Sequence, residues 1–443
     1  MDYRKQKLPA VLLVVIFLGL CLQLPFQVVQ NLPPQQRVAV GEKIDFQLNL
    51  PKIFTDQFEF KIDGVPAFYL GQAAPVAAKP GELKVQVKLF GFIPVREMMV
   101  SVVPEIKVIP GGQAIGVMMN SEGVMVVGRS SIIDGQGKRH NPAAEAGVKL
   151  GDILIKINGV KVETEGQVRD QINNLGKTGK PLVLILKSKN TQKPYNATIT
   201  PIFCNETKRY RVGLFVRDST AGVGTMTFYH PETRSYGALG HIITDVDTCQ
   251  PINLNGGKVV GATIEGIRMG KKGQPGEKLG VFSAEEGISG NIIKNTNCGI
   301  FGILDQEPKN NYSKRAIPVA MTAEIQEGPA EIYTVLNNNR IEKFSIEVQQ
   351  VIPNGKAEGK GMIIKITDPR LLAKTGGIIQ GMSGSPIVQD NKLIGAVTHV
   401  FVNDPARGYG VLAEWMLYNS GAISKHVSIR KNEKNDERSI IAC

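Results

Sequence analysis

Gly381-Met382-Ser383-Gly384-Ser385-Pro386-Ile387 is the stretch on which the reading of this sequence turns. A serine framed by glycines, closed by a proline and run into an apolar strand describes a tight turn that presents a hydroxyl. Glycine lets a substrate backbone come close and lets consecutive N–H groups converge on one point. The bland alternative is a glycine-rich β-turn with surface serines. What separates the two is whether the rest of the chain supplies the partners a nucleophile needs.

A serine nucleophile needs a base, and the chain holds five histidines. His140 lies in the 108–201 region and His426 in the tail, His230 sits beside a turn proline, and His399 lies in the strand after the serine. His241, in Gly237-Ala238-Leu239-Gly240-His241-Ile242-Ile243, follows a glycine at a turn that keeps one ring face open. It is the expected base, with His399 as second choice. The third partner is a carboxylate that fixes the imidazole tautomer. Asp245, Asp247, Asp305, Asp368 and Asp390 are the candidates downstream of His241.

The serine turn resembles the Gly-x-Ser-Gly-x-Pro turn of chymotrypsin-like peptidases. That resemblance implies Ser383 as nucleophile and the backbone N–H groups of Gly381 and Ser383 as oxyanion donors. Ser385 then falls where those enzymes have glycine. The strand 393–398 would run beside the substrate, and Gly408-Tyr409-Gly410-Val411 would wall the specificity pocket. The implied chain order His…Asp…Ser removes Asp390. Asp368, which ends an apolar strand in Lys365-Ile366-Thr367-Asp368-Pro369-Arg370, is the expected orienter, although it lies closer to the serine than that pattern places its aspartate.

Upstream, residues 108–201 carry Pro142-Ala143-Ala144-Glu145-Ala146-Gly147-Val148 as a short helix and Ile153-Leu154-Ile155-Lys156-Ile157 as a strand ending in Asn158-Gly159. An amphipathic helix around Val168, Ile172 and Leu175 and the strand 182–186 follow. This block resembles PDZ domains of the bacterial protease-associated kind. The resemblance implies that the loop with Ile115, Gly116 and Val117 offers N–H groups to a ligand's free C-terminus, the peptide adding as a strand beside the helix near Val168. A PDZ that only packs on its neighbour is the alternative.

Residues 27–107 alternate apolar and polar, as in Leu83-Lys84-Val85-Gln86-Val87-Lys88-Leu89, and read as a small β-sandwich that spaces or docks. Residues 1–26 place Arg4, Lys5 and Lys7 before an apolar heart at 11–22, which reads as a signal peptide or signal anchor. No small-x-small cleavage site follows, so the anchor is favoured. The fold class is therefore mainly β: membrane anchor, β-module, PDZ domain (108–201), chymotrypsin-like β-barrel peptidase domain (216–426) and a charged tail (427–443).

Composition sets further bounds. The net charge of +12 is spread along the chain, which fits a surface near anionic lipid or wall polymer and gives no nucleic-acid stripe. Five cysteines show no CxxC and no histidine at metal spacing, so neither a metal nor another cofactor is expected; Cys249 and Cys298 are readable as a bridge or as free thiols. Cysteine chemistry at Cys249 lacks a glycine-framed turn.

Leader, β-module, PDZ, "GALGHIITD", "ITDPRLL" and "GMSGSPI" in this order resemble the stage IV sporulation protein B family of serine peptidases. The resemblance implies a catalytic set of His241, Asp368 and Ser383. It also implies export across the forespore membrane into the space between the two forespore membranes. There the enzyme would cleave a membrane-bound regulator and so activate an intramembrane protease that matures a late sigma factor. The competing class is a catalytically inactive PDZ scaffold of a membrane complex.

Overall fold

The computed structural model describes residues 27–30, 32, 34–46, 52–69, 74–283, 287–353, 359–421 and 441–442. The leader 1–26 and nearly all of the tail 427–443 lie outside the described residues. Among those described, no helix is long and apolar enough to cross a membrane.

The N-terminal module is one sheet of β1 (Gln35–Ala39), β2 (Phe58–Ile62), β3 (Phe68–Tyr69), β4 (Gly81–Leu89) and β5 (Ile93–Val103), ordered β1-β5-β4-β2-β3. A separate two-stranded pairing joins Val76–Ala77 to Ile441–Ala442, so one full sheet and one short pair stand where the alternation suggests a sandwich. Among the described residues the apolar face is covered by non-strand residues Val29, Leu32, Ile44 and Phe46, with Phe46 stacked on Phe60 at 4.6 Å. Arg37 reaches the buried Glu414 at 2.9 Å, which docks this sheet on the C-terminal part of the chain.

Two long strands, β6 (Ala114–Arg129) and β11 (Leu214–Tyr229), pair with each other along most of their length. Between them in sequence come β7 (Ile153–Ile157), α1 (Glu165–Gly176), β8 (Leu182–Lys187), β9 (Pro194–Ile199) and β10 (Arg209–Arg211). The far half of β6 pairs with β7, which continues to β8 and β9. Asn158 and Gly159, both at positive φ, make the turn that the Asn-Gly pair predicts. Thr164 caps α1 in a reciprocal capping box with Gln167, and Val168 and Ile172 face the core.

The near half of β6 enters a different neighbourhood. There it pairs with β13 (Leu254–Arg268), while β11 continues to β12 (Ser235–Ala238), β15 (Gly299–Ile303) and their loops; β14 (Glu277–Ser283) pairs with β13. The PDZ strands and the strands before His241 are thus one continuous sheet.

The C-terminal part is a closed barrel of β16 (Gly328–Val335), β17 (Ile341–Val351), β18 (Met362–Ile366), β21 (Asp404–Leu412), β20 (Lys392–Phe401) and β19 (Pro386–Gln389), in that order around the barrel. Closure leaves no free sheet edge, and Ile332, Ile346, Ile364, Ile387 and Val397 fill the interior. The short helix α2 (Pro369–Thr375) follows β18, and α3 (Ala413–Ser420) follows β21. Among the described residues only this serine-bearing half closes; the half that carries His241 stays part of the extended sheet, unlike a pair of barrels.

Candidate active site and peptide groove

The turn before β19 is clamped on several sides. Thr225 Oγ1 donates to the Gly381 carbonyl at 2.7 Å and Thr227 Oγ1 to the Gly384 carbonyl at 2.8 Å, while Thr225 N donates to the Ser383 carbonyl. Gly381 and Gly384 have φ of 88° and 93°, and a Cβ on Gly384 would lie 2.0 Å from the Thr225 carbonyl oxygen, so glycine is required there. Met382 N and Ser385 N donate within the turn segment, to the Ile379 and Met382 carbonyls, and Gly384 N donates to the Val397 carbonyl of β20. Gly381 N and Ser383 N do not, among the described residues. These are the two N–H groups that oxyanion binding calls for, and the turn leaves them unspent.

Ser383 is half-buried, whereas Ser385 is fully buried with its hydroxyl on Thr334 Oγ1 at 3.0 Å. Only the first of the two serines has an open face. Its Oγ donates to the Thr398 carbonyl at 2.8 Å. Thr398 precedes His399, whose ring centroid is 5.1 Å from that of His241. The backbone before His241 completes the cluster: Gly384 packs on Leu239, and a Cβ on Gly240 would strike Thr398 Cγ2 at 2.7 Å. The structure thus gathers Ser383, His241 and His399 from β12's loop, the serine turn and β20.

His241 Nδ1 lies 2.8 Å from the Ile242 carbonyl. A carbonyl can only accept, so the proton sits on Nδ1 and the lone pair on Nε2, the tautomer a general base needs. Burial pushes the His241 pKa below the usual imidazole range, only partly opposed by that carbonyl. A half-buried neutral imidazole whose Nε2 has no partner among the described residues can accept a serine proton at neutral pH.

Asp368 is not part of this cluster. Its carboxylate caps α2 by accepting from Arg370 N at 2.9 Å, also accepts from Ser345 N, and pairs with the Arg370 guanidinium at 2.8 Å. The Arg370 side chain first, then the backbone N–H groups, hold its pKa below the usual carboxylate value. On β18, Ile363 is level with Tyr409 and through it with His399. Asp368 lies five residues further on, roughly 16 Å away at about 3.3 Å per residue. The expected orienter is therefore a helix cap, and the Ile242 carbonyl does the orienting. Asp245 is spent likewise, on Arg217 and Thr248. Among the described residues, Cys204, Cys249 and Cys298 form no disulfide.

Ile115, Gly116 and Val117 also fall elsewhere than expected. They lie mid-sheet, with Gly116 paired to Val223 of β11 on one side and Val260 of β13 on the other. With both edges bonded, no N–H row is left for a peptide. Gly116 is instead a packing glycine, since a Cβ there would meet the Phe282 ring at 2.5 Å. The groove in the PDZ region lies between α1 and residues 207–216. It has a volume of about 460 Å³ and is lined by Val168, Ile172, Leu214 and Phe215 with Arg169 and Arg209 at its rim. Among the described residues, Leu214, Phe215 and Val216 pair only with β6, so their other edge faces the helix. Gly213, at φ 77°, opens that strand. The signal was Val212-Gly213-Leu214-Phe215-Val216, a glycine leading into an apolar run; a boundary drawn at 201 hid it.

A barrel presenting a serine to a neutral imidazole, joined through one sheet to a peptide groove, belongs to the class of PDZ-containing serine endopeptidases. Residues 208–417 match the SpoIVB peptidase S55 family and residues 134–184 the PDZ domain family, the combination found in a SpoIVB-type PDZ-containing serine peptidase. No curated protein matches it. Among solved structures, the PDZ domain of the SdrC-like protein from Listeria monocytogenes is 22% identical, with 21% of this chain and 87% of that one covered and a TM-score of 0.17. The Rv3671c protease from M. tuberculosis, active form, is 10% identical over 46% of this chain and 74% of that one, with a TM-score of 0.25; its inactive form is 11% identical over 45% and 83%, also at 0.25.

Proposed function

We propose that the protein is an endopeptidase of narrow, signalling-type specificity in which Ser383 attacks a peptide carbonyl and His241 takes and returns the proton. The observation that carries this is the half-buried Ser383 hydroxyl on the Thr398 carbonyl, beside an imidazole whose Nε2 is free. Attack begins when Oγ leaves that carbonyl and turns toward Nε2, a change that substrate entry favours by occupying the turn. Gly381 N and Ser383 N then receive the oxyanion, and water hydrolyses the acyl-enzyme.

The substrate in this reading is a membrane-bound regulatory protein cleaved during sporulation, in the space between the forespore membranes. Its cleavage frees an intramembrane protease that matures a late sigma factor. The chain reaches that space as an exported, initially anchored protein. What supports this is the SpoIVB family match together with the apolar groove beside α1. The groove selects or tethers, and the serine site cuts.

The test is a sporulating strain whose own copy is replaced by the wild-type chain or by Ser383→Ala. Wild type should release the fragment of the regulator into the intermembrane space, and Ser383→Ala should leave it intact in the membrane. Processing by the Ser383→Ala protein would refute the assignment.

A further inference from the structure

Behind the serine turn lies a buried lysine that the mechanism above does not use. Lys278 of β14 is 5% exposed. Its backbone N donates to the Gln380 carbonyl, and its alkyl stem forms the floor under Gly381, where a Cβ would sit 3.1 Å from Lys278 Cβ and Cδ. Its Nζ crosses into the barrel and meets Thr334 Oγ1 of β16 at 2.7 Å. The same Thr334 oxygen accepts from Ser385 Oγ at 3.0 Å.

We propose that Lys278 is a positioning residue of the oxyanion turn, holding the Gly381–Ser385 segment from behind through Thr334 and Ser385. The proposal rests on Ser383 being the nucleophile.

Counting protons shows how the chain works. A charged ammonium has three protons to place and finds one acceptor among the described residues, which already takes the Ser385 proton. A neutral amine reverses the bond: Ser385 donates to Thr334 and Thr334 donates to Nζ, so both hydroxyl protons find an acceptor and no charge is buried. Burial pushes the Lys278 pKa down to about 7, which brings the neutral form within reach at neutral pH. The nearby carboxylates are taken: Glu277 pairs with Arg268, and Glu331 on the Thr334 strand pairs with Lys343.

The consequence is mechanical. Thr225 and Thr227 hold the turn by its carbonyls from the sheet half, and the Lys278–Thr334–Ser385 chain holds it from the barrel half. Both holds leave Gly381 N and Ser383 N free. Loosening the second should let the two amides drift, which costs transition-state stabilisation and spares binding.

The test uses the full chain and a fluorophosphonate, whose attack on serine also builds an oxyanion. Lys278→Met keeps the stem under Gly381, Thr334→Val is isosteric without the hydroxyl, and Thr334→Ser keeps the hydroxyl. Lys278→Met and Thr334→Val should each lower the maximal phosphonylation rate about tenfold with half-saturation unchanged. Combining them should add little, and Thr334→Ser should stay within about twofold of wild type. Wild-type rates in folded Lys278→Met and Thr334→Val, or Thr334→Ser as slow as Thr334→Val, would overturn the proposal. If Lys278→Met does not fold, the Thr334 pair decides alone. Absent labelling of wild type, or labelling of Ser383→Ala, would instead sink the nucleophile assignment.

Discussion

His241 and His399 face each other with ring centroids 5.1 Å apart at a tilt of 46°, and a charge on His241 disfavours one on His399. Burial, then the His241 and Lys360 charges, push His399 down as well, although its ring stays partly exposed. Two imidazoles in that relationship stay neutral together, and one of them has its Nε2 lone pair free to act.

The first prediction is a pH profile. Since the His241 pKa is lowered, the rise of kcat/KM with pH should have its midpoint below the ordinary value of about 6.5. The same shift bears on stability. Below about pH 6.5 the unfolded chain binds a proton at this histidine that the folded chain refuses, so stability is lost as pH falls through that range. Kinetics and melting curves between pH 5 and 8 check both, and a kinetic midpoint at or above the ordinary value would contradict the half-buried imidazole.

A second prediction separates the helix cap from the triad. Asp368→Asn keeps an equally good cap and should change activity less than tenfold, while Asp368→Ala should cost about 1 kcal/mol of stability. Loss of about 10⁴-fold in kcat by a folded Asp368→Asn protein would restore Asp368 as the orienter of His241.

Both outcomes bear on what the sequence reveals. The serine turn was legible as a turn because glycine, serine and proline at fixed spacing dictate local backbone shape, as were the Asn158-Gly159 turn and the α1 face of Val168 and Ile172. Asp368 was misread because helix capping and imidazole orientation select the same residue type, and only the fold tells which partner is near. Ile115, Gly116 and Val117 were misread because a glycine in a strand looks the same whether a ligand or Phe282 approaches it. The sharing of β6 and β11 between two domains is invisible to any segment-by-segment reading.

The third prediction concerns the groove. Ile172→Glu puts a carboxylate on its apolar wall and should abolish cleavage of the membrane-bound target, with fluorophosphonate labelling unchanged. Gly116→Val, in contrast, should lower stability by about 1–3 kcal/mol through overpacking against Phe282. Target cleavage that survives in a folded Ile172→Glu protein would reduce the PDZ to a spacer.

The most direct test of the account is the site of covalent labelling. Wild type treated with a fluorophosphonate and mapped by mass spectrometry should carry the adduct on Ser383. Ser385→Ala should still be labelled, at a reduced rate, and Ser383→Ala should take no label while melting as wild type does. An adduct on Ser385, or persistent labelling of Ser383→Ala, would contradict the claim that Ser383 is the serine this fold was built to present.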